Sequence, residues 1–283
     1  MSHHPKKKVV IVGGGYSGVY LAKSIDDRFD VTLVERKQLF FHNITALRLV
    51  VQPDLCEKVF IPMNNLLKNG RIIHKLAVEI TPKMVVLDDG DVLTFDYLVI
   101  ATGSNNMTPY KSPTDTSNLY PYYQRLQETV KKARSVAIIG GSTIGVELAG
   151  EIACEYPNKP VTLVQHIGRL CSHRLGDKFS DKLIKKMTKM GIKVMMNTVV
   201  DIPPEAVSNR NNMAVVEYEL KEQVLLTDKN EKIEADLVFW CLGNRPNSEA
   251  LRAHFGGSID HMGHLKVNES MQVEGHENNY EKY

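Results

Sequence analysis

The sequence predicts an α/β fold of two Rossmann-like dinucleotide-binding domains, each of the three-layer ββα type. Two observations predict it. The run Val9-Val10-Ile11-Val12-Gly13-Gly14-Gly15-Tyr16-Ser17-Gly18 closes at Val31-Thr32-Leu33-Val34-Glu35. The plan recurs at Val136-Ala137-Ile138-Ile139-Gly140-Gly141-Ser142-Thr143-Ile144-Gly145, closing at Val161-Thr162-Leu163-Val164-Gln165. Strand, glycine turn, helix and second strand in register make a fingerprint far more specific than a lone glycine pattern. A chain that builds the same phosphate cradle twice is expected to hold two dinucleotides. Two that exchange electrons imply a flavin reduced by a nicotinamide.

The first module starts with an apolar, β-branched strand at Lys8 to Val12, of the kind buried on both faces. Gly13 is expected to permit the tight turn, Gly15 to let a pyrophosphate reach the backbone, and Gly18 to let the helix pack on the strand. A helix of roughly Ser17 to Asp27 would aim its unpaired N–H groups at the phosphates. Glu35 then ends the second strand, where a carboxylate accepts hydrogen bonds from ribose hydroxyls and repels a 2′-phosphate. Short strands are expected at Arg71–Ile73, Met84–Leu87 and Val92–Leu93, with a turn at Asp88-Asp89-Gly90-Asp91. The strand from Tyr97 ends in the small-residue turn Ala101-Thr102-Gly103, which allows backbone close to a ligand.

The second module departs from this plan at two points. Ser142 replaces the middle glycine, and the second strand ends in Gln165-His166 without a carboxylate. Nothing there repels a 2′-phosphate, and His166 or Arg169 is able to pair with one, so NADPH is expected to serve at least as well as NADH. In the other reading Gln165 simply binds ribose. A Lys-rich helix is expected from about Asp177 to Met190, with strands at Lys193–Met196, Ala214–Tyr218 and Gln223–Leu226. The strand Ala235 to Leu242 then stops at Gly243, repeating the stop at Gly103.

The bulk numbers exclude several classes. A chain of 283 residues fits one large or two medium domains. Hydrophobic residues make up 43% and charged residues 24%, as in soluble globular proteins. A net charge of +2 leaves no basic footprint for nucleic acid, so no nucleic-acid partner is expected. No run reaches the roughly 18 apolar residues of a membrane span. Ser2 stands where N-myristoylation requires glycine. Cys56, Cys154, Cys171 and Cys241 have no close spacing, which argues against zinc or a redox dithiol and for reduced cysteines in the cytoplasm. Lys178, Lys182, Lys185, Lys186 and Lys189 line one helix face, opposite Phe179, Leu183, Met187 and Met190. This reads as the solvated side of a helix over a sheet in preference to a membrane-surface helix.

The two fingerprints resemble the two-dinucleotide flavoproteins, a family that includes pyridine nucleotide–disulfide reductases, type II NADH dehydrogenases and apoptosis-inducing factors. Four further runs are similar to its ferroptosis-suppressor branch: Phe40-Phe41-His42-Asn43-Ile44-Thr45-Ala46-Leu47-Arg48, Gly145-Val146-Glu147, Glu155 to Leu163, and Val267 to His276. The likeness covers essentially the whole chain. It implies FAD in the first site, NAD(P)H in the second, and ubiquinone or a related quinone as electron acceptor. It also implies that Gly13, Gly14, Gly15, Tyr16 and Ser17 line the FAD pyrophosphate, Glu35 its ribose, and Arg48 the flavin side. Ile72 falls where such proteins contact adenine through backbone. Glu147 corresponds to a carboxylate near the nicotinamide, although an acid at a helix start is also favoured by the macrodipole. His42, beside the expected flavin, reads equally as a proton relay or as a packed histidine. The disulfide reductases carry a close cysteine pair where this chain has Cys56 alone, which favours a quinone, dye or oxygen acceptor.

The resemblance implies an FAD-binding part at residues 1–115, an NAD(P)H-binding domain at 116–245 inserted in it, and a return to the FAD domain at 246–283. Such proteins continue past the Gln272 to His276 stretch and Tyr280 into a Gly-Asp strand that holds FAD. The first domain is therefore expected to be discontinuous and incomplete at its carboxyl end, with weak or absent flavin. The alternative function is a catalytically impaired NAD(P)H-binding or interaction fragment. A DNA-binding death effector is disfavoured by the near-neutral charge. The branch allows peripheral contact with the mitochondrial outer membrane or lipid droplets.

Overall fold

The computed structural model describes residues 5–171 and 175–276. Ser2 and Tyr280 lie outside the described residues. Contacts gather the chain into two compact units: the chain up to Phe40 with Ile61–Asn105 and the chain from Arg245 on, and Phe41–Phe60 with Asn106–Asn244.

The first unit is built on strands β1 (Lys8–Val12), β2 (Asp30–Val34), β3 (Arg71–Ile73) and β7 (Tyr97–Ile100). They form a parallel sheet in the order β3-β2-β1-β7, with Val9 opposite Val31 and Tyr97. Helix α1 (Tyr16–Ile25) joins β1 to β2. Successive side chains of a strand point to opposite faces, and β1 shows this directly. Val9 and Ile11 pack with Ala22 of α1, Val31, Leu33 and Met63. Val10 and Val12 pack on the other face with Ile80, Val85, Leu87, Leu251 and Phe255. That second face is covered by an antiparallel meander of β4 (Ala77–Ile80), β5 (Met84–Leu87) and β6 (Val92–Thr94). Meander, parallel sheet and helix are the three layers expected. Burying a branched side chain such as Ile11 contributes about 1.5–3 kcal/mol, which is why β1 is apolar at nearly every position.

The second unit repeats the arrangement. Strands β8 (Val136–Ile139), β9 (Val161–Val164), β10 (Ile192–Met195) and β13 (Leu237–Trp240) make a parallel sheet ordered β10-β9-β8-β13. Helix α2 (Leu119–Lys132) precedes it, α3 (Thr143–Glu155) joins β8 to β9, and α4 (Asp177–Lys189) leads into β10. A hairpin of β11 (Gln223–Leu226) and β12 (Lys232–Ala235) contributes Ile233 and Ala235 to the core with Ala137, Ile139, Val164 and Val238.

Three differences from the sequence-based expectations have physical causes. Residues 214–218 are not a strand. The Ala214 carbonyl accepts the Thr108 N–H, and the Val216 N–H donates to Thr108 Oγ1, so one threonine takes the place of a sheet partner. Helix α2 was not anticipated; it buries Leu119, Tyr122, Tyr123, Leu126 and Val130 at helical spacing, a signal blurred by its tyrosines and by Pro121. Phe41–Phe60 packs within the second unit, through a turn at Leu47–Val50 whose Leu49 and Val50 are fully buried.

Candidate dinucleotide-binding sites

Each module turns on a glycine that no other residue replaces without strain. Gly13 has φ +111° and Gly140 has φ +115°. Their N–H groups donate to the Val34 and Val164 carbonyls, both at 2.8 Å. A methyl on Gly13 would stand 2.2 Å from the Ala101 carbonyl oxygen, and one on Gly140 would stand 2.3 Å from that of Cys241. The ends of β7 and β13 therefore press on the turns. Gly18 and Gly145 serve a related purpose, since a methyl on either would lie 1.9 Å from the carbonyl oxygen of Gly13 or Gly140. The helix packs first on its own turn; the strand side chain of Ile11 is more distant from the Gly18 position, at 3.5 Å.

The residue that ends the second strand closes on the next glycine in both modules. Gly14 N–H donates to Glu35 Oε2 at 2.6 Å, and Gly141 N–H donates to Gln165 Oε1 at 3.0 Å. Both side chains are buried, at 8% and 6% exposure. Glu35 Oε1 also accepts the Lys37 N–H, while Gln165 Nε2 donates to the Arg169 carbonyl. The geometry is shared and the charge is not. A buried carboxylate needs such donors. Burial lowers the pKa of the Lys37 ammonium, and the Glu35 charge partly opposes that shift.

The helix starts carry no side-chain cap. Gly15 is extended at the amino end of α1 with no side-chain cap, and a Cβ there would meet nothing within 4 Å. Ser142 occupies the same place before α3, again without a side-chain cap bond, and its buried Oγ has no partner. Uncapped helix amino termini carry the positive end of the dipole and free backbone donors. The open face at Gly15 and the unpaired hydroxyl at Ser142 fit the diphosphates of two dinucleotides. Tyr16 and Ser17 follow in the first turn of α1, and both are exposed.

Ile72 lies on β3, opposite Leu33, and packs in the core on the α1 side. The turn after β7 is tied to the returning chain. Thr102 Oγ1 donates to the Asn247 carbonyl, Asn247 Nδ2 donates to the Thr102 carbonyl, and Asn247 N–H donates to Gly103, all at 2.8–3.0 Å. Asn247 was not anticipated as a site residue; its signal was only its place just after the glycine stop. Gly103 and Gly243 both have positive φ, and Gly243 O accepts from Asn106 Nδ2. His166 is exposed beyond Gln165, and Arg169 pairs with Asp177.

Arg48 belongs to the second unit. Its Nε and Nη2 reach the Glu151 carboxylate of α3 at 2.9–3.2 Å, and Gln52 reaches Glu155 on the next turn. Glu151 was also missed, although it stands four residues after Glu147 on one helix face. The Glu147 carboxyl is raised, first by lost hydration and then by Glu151. His42 donates its N–H to the Val59 carbonyl.

All four cysteines are free. Burial pushes Cys56 up to about 11 and Cys241 up to about 12, so both stay protonated at neutral pH. Among the described residues no cluster of His, Cys, Asp or Glu is able to hold a metal ion, and no helix is long and apolar enough to cross a membrane.

Residues 7–280 match the family described as pyridine nucleotide-disulphide oxidoreductase. The chain is 41% identical over 282 residues to apoptosis-inducing factor homolog B of Dictyostelium discoideum, covering 96% of this chain and 73% of that protein. It is 33% identical over 277 residues to ferroptosis suppressor protein 1 of Homo sapiens, covering 96% of this chain and 72% of that one. Among solved structures, reduced Bacillus anthracis CoADR-RHD superposes with a TM-score of 0.69 at 18% identity. The match covers 95% of this chain, which spans about half, 49%, of that structure's chain.

Proposed function

The chain belongs to the pyridine nucleotide-disulphide oxidoreductase family, whose cofactors are FAD and NAD(P)H, and we propose that it carries electrons from NAD(P)H through FAD to a quinone. When bound, the flavin accepts hydride and releases electrons onward, chemistry that no side chain supplies. The protein's part is binding, orientation and electrostatics. The observation that carries the reading is the doubled turn, with a buried strand-end side chain closing on the second glycine of each module.

In the first site Gly13, Gly14, Gly15 and Gly18 shape the turn, Tyr16 and Ser17 open the helix, and Glu35 offers its carboxylate to ribose. Ala101, Thr102 and Gly103, fastened by Asn247, hold the neighbouring strand end. In the second site Gly140, Gly141, Ser142 and Gly145 play the same parts. Gln165 stands in place of the acid, with His166 and Arg169 nearby in sequence. A neutral Gln165 favours NADPH at least as well as NADH. Glu147, its carboxyl raised by lost hydration and then by Glu151, stands beside the reaction and tunes the charge there. Arg48 neutralises Glu151 and so limits how far Glu147 is raised. The lack of a paired dithiol, with Cys56 buried and alone, favours a quinone over a disulfide as acceptor.

The test supplies the purified chain with FAD and follows NADPH oxidation against a soluble quinone. Quinone-dependent turnover, weakened in Glu147→Gln, is expected. Bound flavin that NADPH reduces but no quinone reoxidises would refute the acceptor and leave the cofactor reading standing. A much higher kcat/KM with NADH would refute the coenzyme preference.

A further inference from the structure

Helix α4 presents a face that neither dinucleotide site uses. Lys178, Lys182, Lys185, Lys186 and Lys189 are all exposed, and helical geometry gathers them in an arc of about 100°. None of the five makes an ion pair among the described residues; of the helix's two acids, Asp177 is held by Arg169 and exposed Asp181 borders the arc next to Lys185, so five lysines face one unpaired carboxylate. The helix is anchored from beneath by buried Met187 and Ser180. Phe179 was expected on that buried side. It is instead 47% exposed at the edge of the lysine arc, and Leu175, just before the helix, is 39% exposed.

A purely solvated face gains nothing from an exposed phenyl ring. A lysine arc alone fits any polyanion, but lysines with exposed Phe179 at the edge of the arc, and exposed Leu175 just before the helix, fit a surface that is both negative and apolar beneath. That combination is the physical description of an anionic phospholipid bilayer. We propose that α4 docks this protein on an anionic phospholipid surface, its lysines among the headgroups and Phe179 and Leu175 at the acyl boundary. The lysine stems lie along the interface with their ammonium groups in water. The chain's overall charge of +2 means that the attraction is local to this helix. Nothing in this assignment depends on the electron acceptor.

Sedimentation of the full chain with phosphatidylcholine vesicles, and with vesicles that also contain phosphatidylserine, tests it. Retention is expected on the phosphatidylserine vesicles alone and should weaken as salt rises. The double variant Lys182→Gln/Lys186→Gln should bind roughly 25-fold more weakly, at about fivefold per lysine. Phe179→Ser should also weaken binding, with net charge unchanged. All three positions are exposed, so each variant should keep the parent unfolding midpoint. A Phe179→Trp variant should gain emission that shifts to the blue on phosphatidylserine vesicles. Equal retention on both vesicle types, parental binding by the lysine variant, or unshifted tryptophan emission overturns the proposal. Undiminished vesicle binding by Phe179→Ser, together with equal retention on single-stranded DNA, overturns it in favour of a nucleic-acid surface.

Discussion

The two modules share one backbone and differ in what they put at its most sensitive point. In the first, Gly14 N–H meets a buried carboxylate; in the second, Gly141 N–H meets a buried amide. In the first, Gly15 leaves open space at the helix start; in the second, Ser142 puts a buried, unpartnered hydroxyl there. The third strands are also held differently. Chain entering β3 is clamped by Asp26, whose carboxylate accepts the N–H groups of Lys68, Asn69 and Gly70. Strand β10 is instead entered from helix α4 through Gly191. Turn geometry is common property, whereas the charge of the strand-end side chain and the anchoring of the third strand are set module by module.

The largest effects should show that common property. Gly13→Ala and Gly140→Ala each force a side chain onto positive φ and into a carbonyl oxygen, and each should cost about 3 kcal/mol or more. Urea unfolding measures both; if one module tolerates alanine, the two turns are not equivalent. Asp26→Ala should cost about 2–3 kcal/mol by leaving three donors unpaired, with no counterpart among the described residues of the second module. Burial raises the Asp26 carboxyl, but the bonds from Gly70, Lys68 and Asn69 outweigh it and hold the pKa below the ordinary value. A carboxylate lowered in this way stabilises the fold above its unfolded pKa, and that contribution is lost as pH falls through the folded value. The gap in stability between parent and Asp26→Ala should therefore narrow in acid, and a gap that stays constant to low pH would show that the charge is not what matters.

Gln165→Glu makes the second module resemble the first at one atom while keeping the acceptor for Gly141. The ratio of kcat/KM values should move toward NADH by about tenfold, roughly 1.4 kcal/mol. An unchanged ratio would place coenzyme choice elsewhere. The smallest effect on stability is expected for Gly15→Ala, whose methyl meets open space and whose backbone is already extended. Its unfolding free energy should stay within about 0.5 kcal/mol of the parent, while FAD content, read from visible absorbance against protein, falls.

Much of this architecture was legible residue by residue. The strand at Lys8–Val12, the glycine turns and the closing strands obey local rules, because a positive φ demands glycine and a doubly covered strand demands apolar residues throughout. Even the unlike ends, Glu35 and Gln165, stand out in the sequence. The partners of Arg48 and Thr102 were not legible in this way. Glu151 lies 103 residues from Arg48, and Asn247 lies 145 residues from Thr102. No local pattern encodes such distances. The same holds for Phe179, whose helical position suggested burial until the packing around α4 left it in solvent.

By itself, then, the sequence determined two glycine turns between strand and helix, their order along the chain and the acid-or-amide choice that follows each. Each of these depends on backbone sterics and side-chain chemistry within a few dozen residues. The tertiary structure alone decided that Phe41–Phe60 packs with the second unit, that Arg48 spends its charge on Glu151, and that α4 turns an aromatic ring outward. Those outcomes depend on which surfaces meet after the chain has folded, and that is settled by packing against segments far away in sequence.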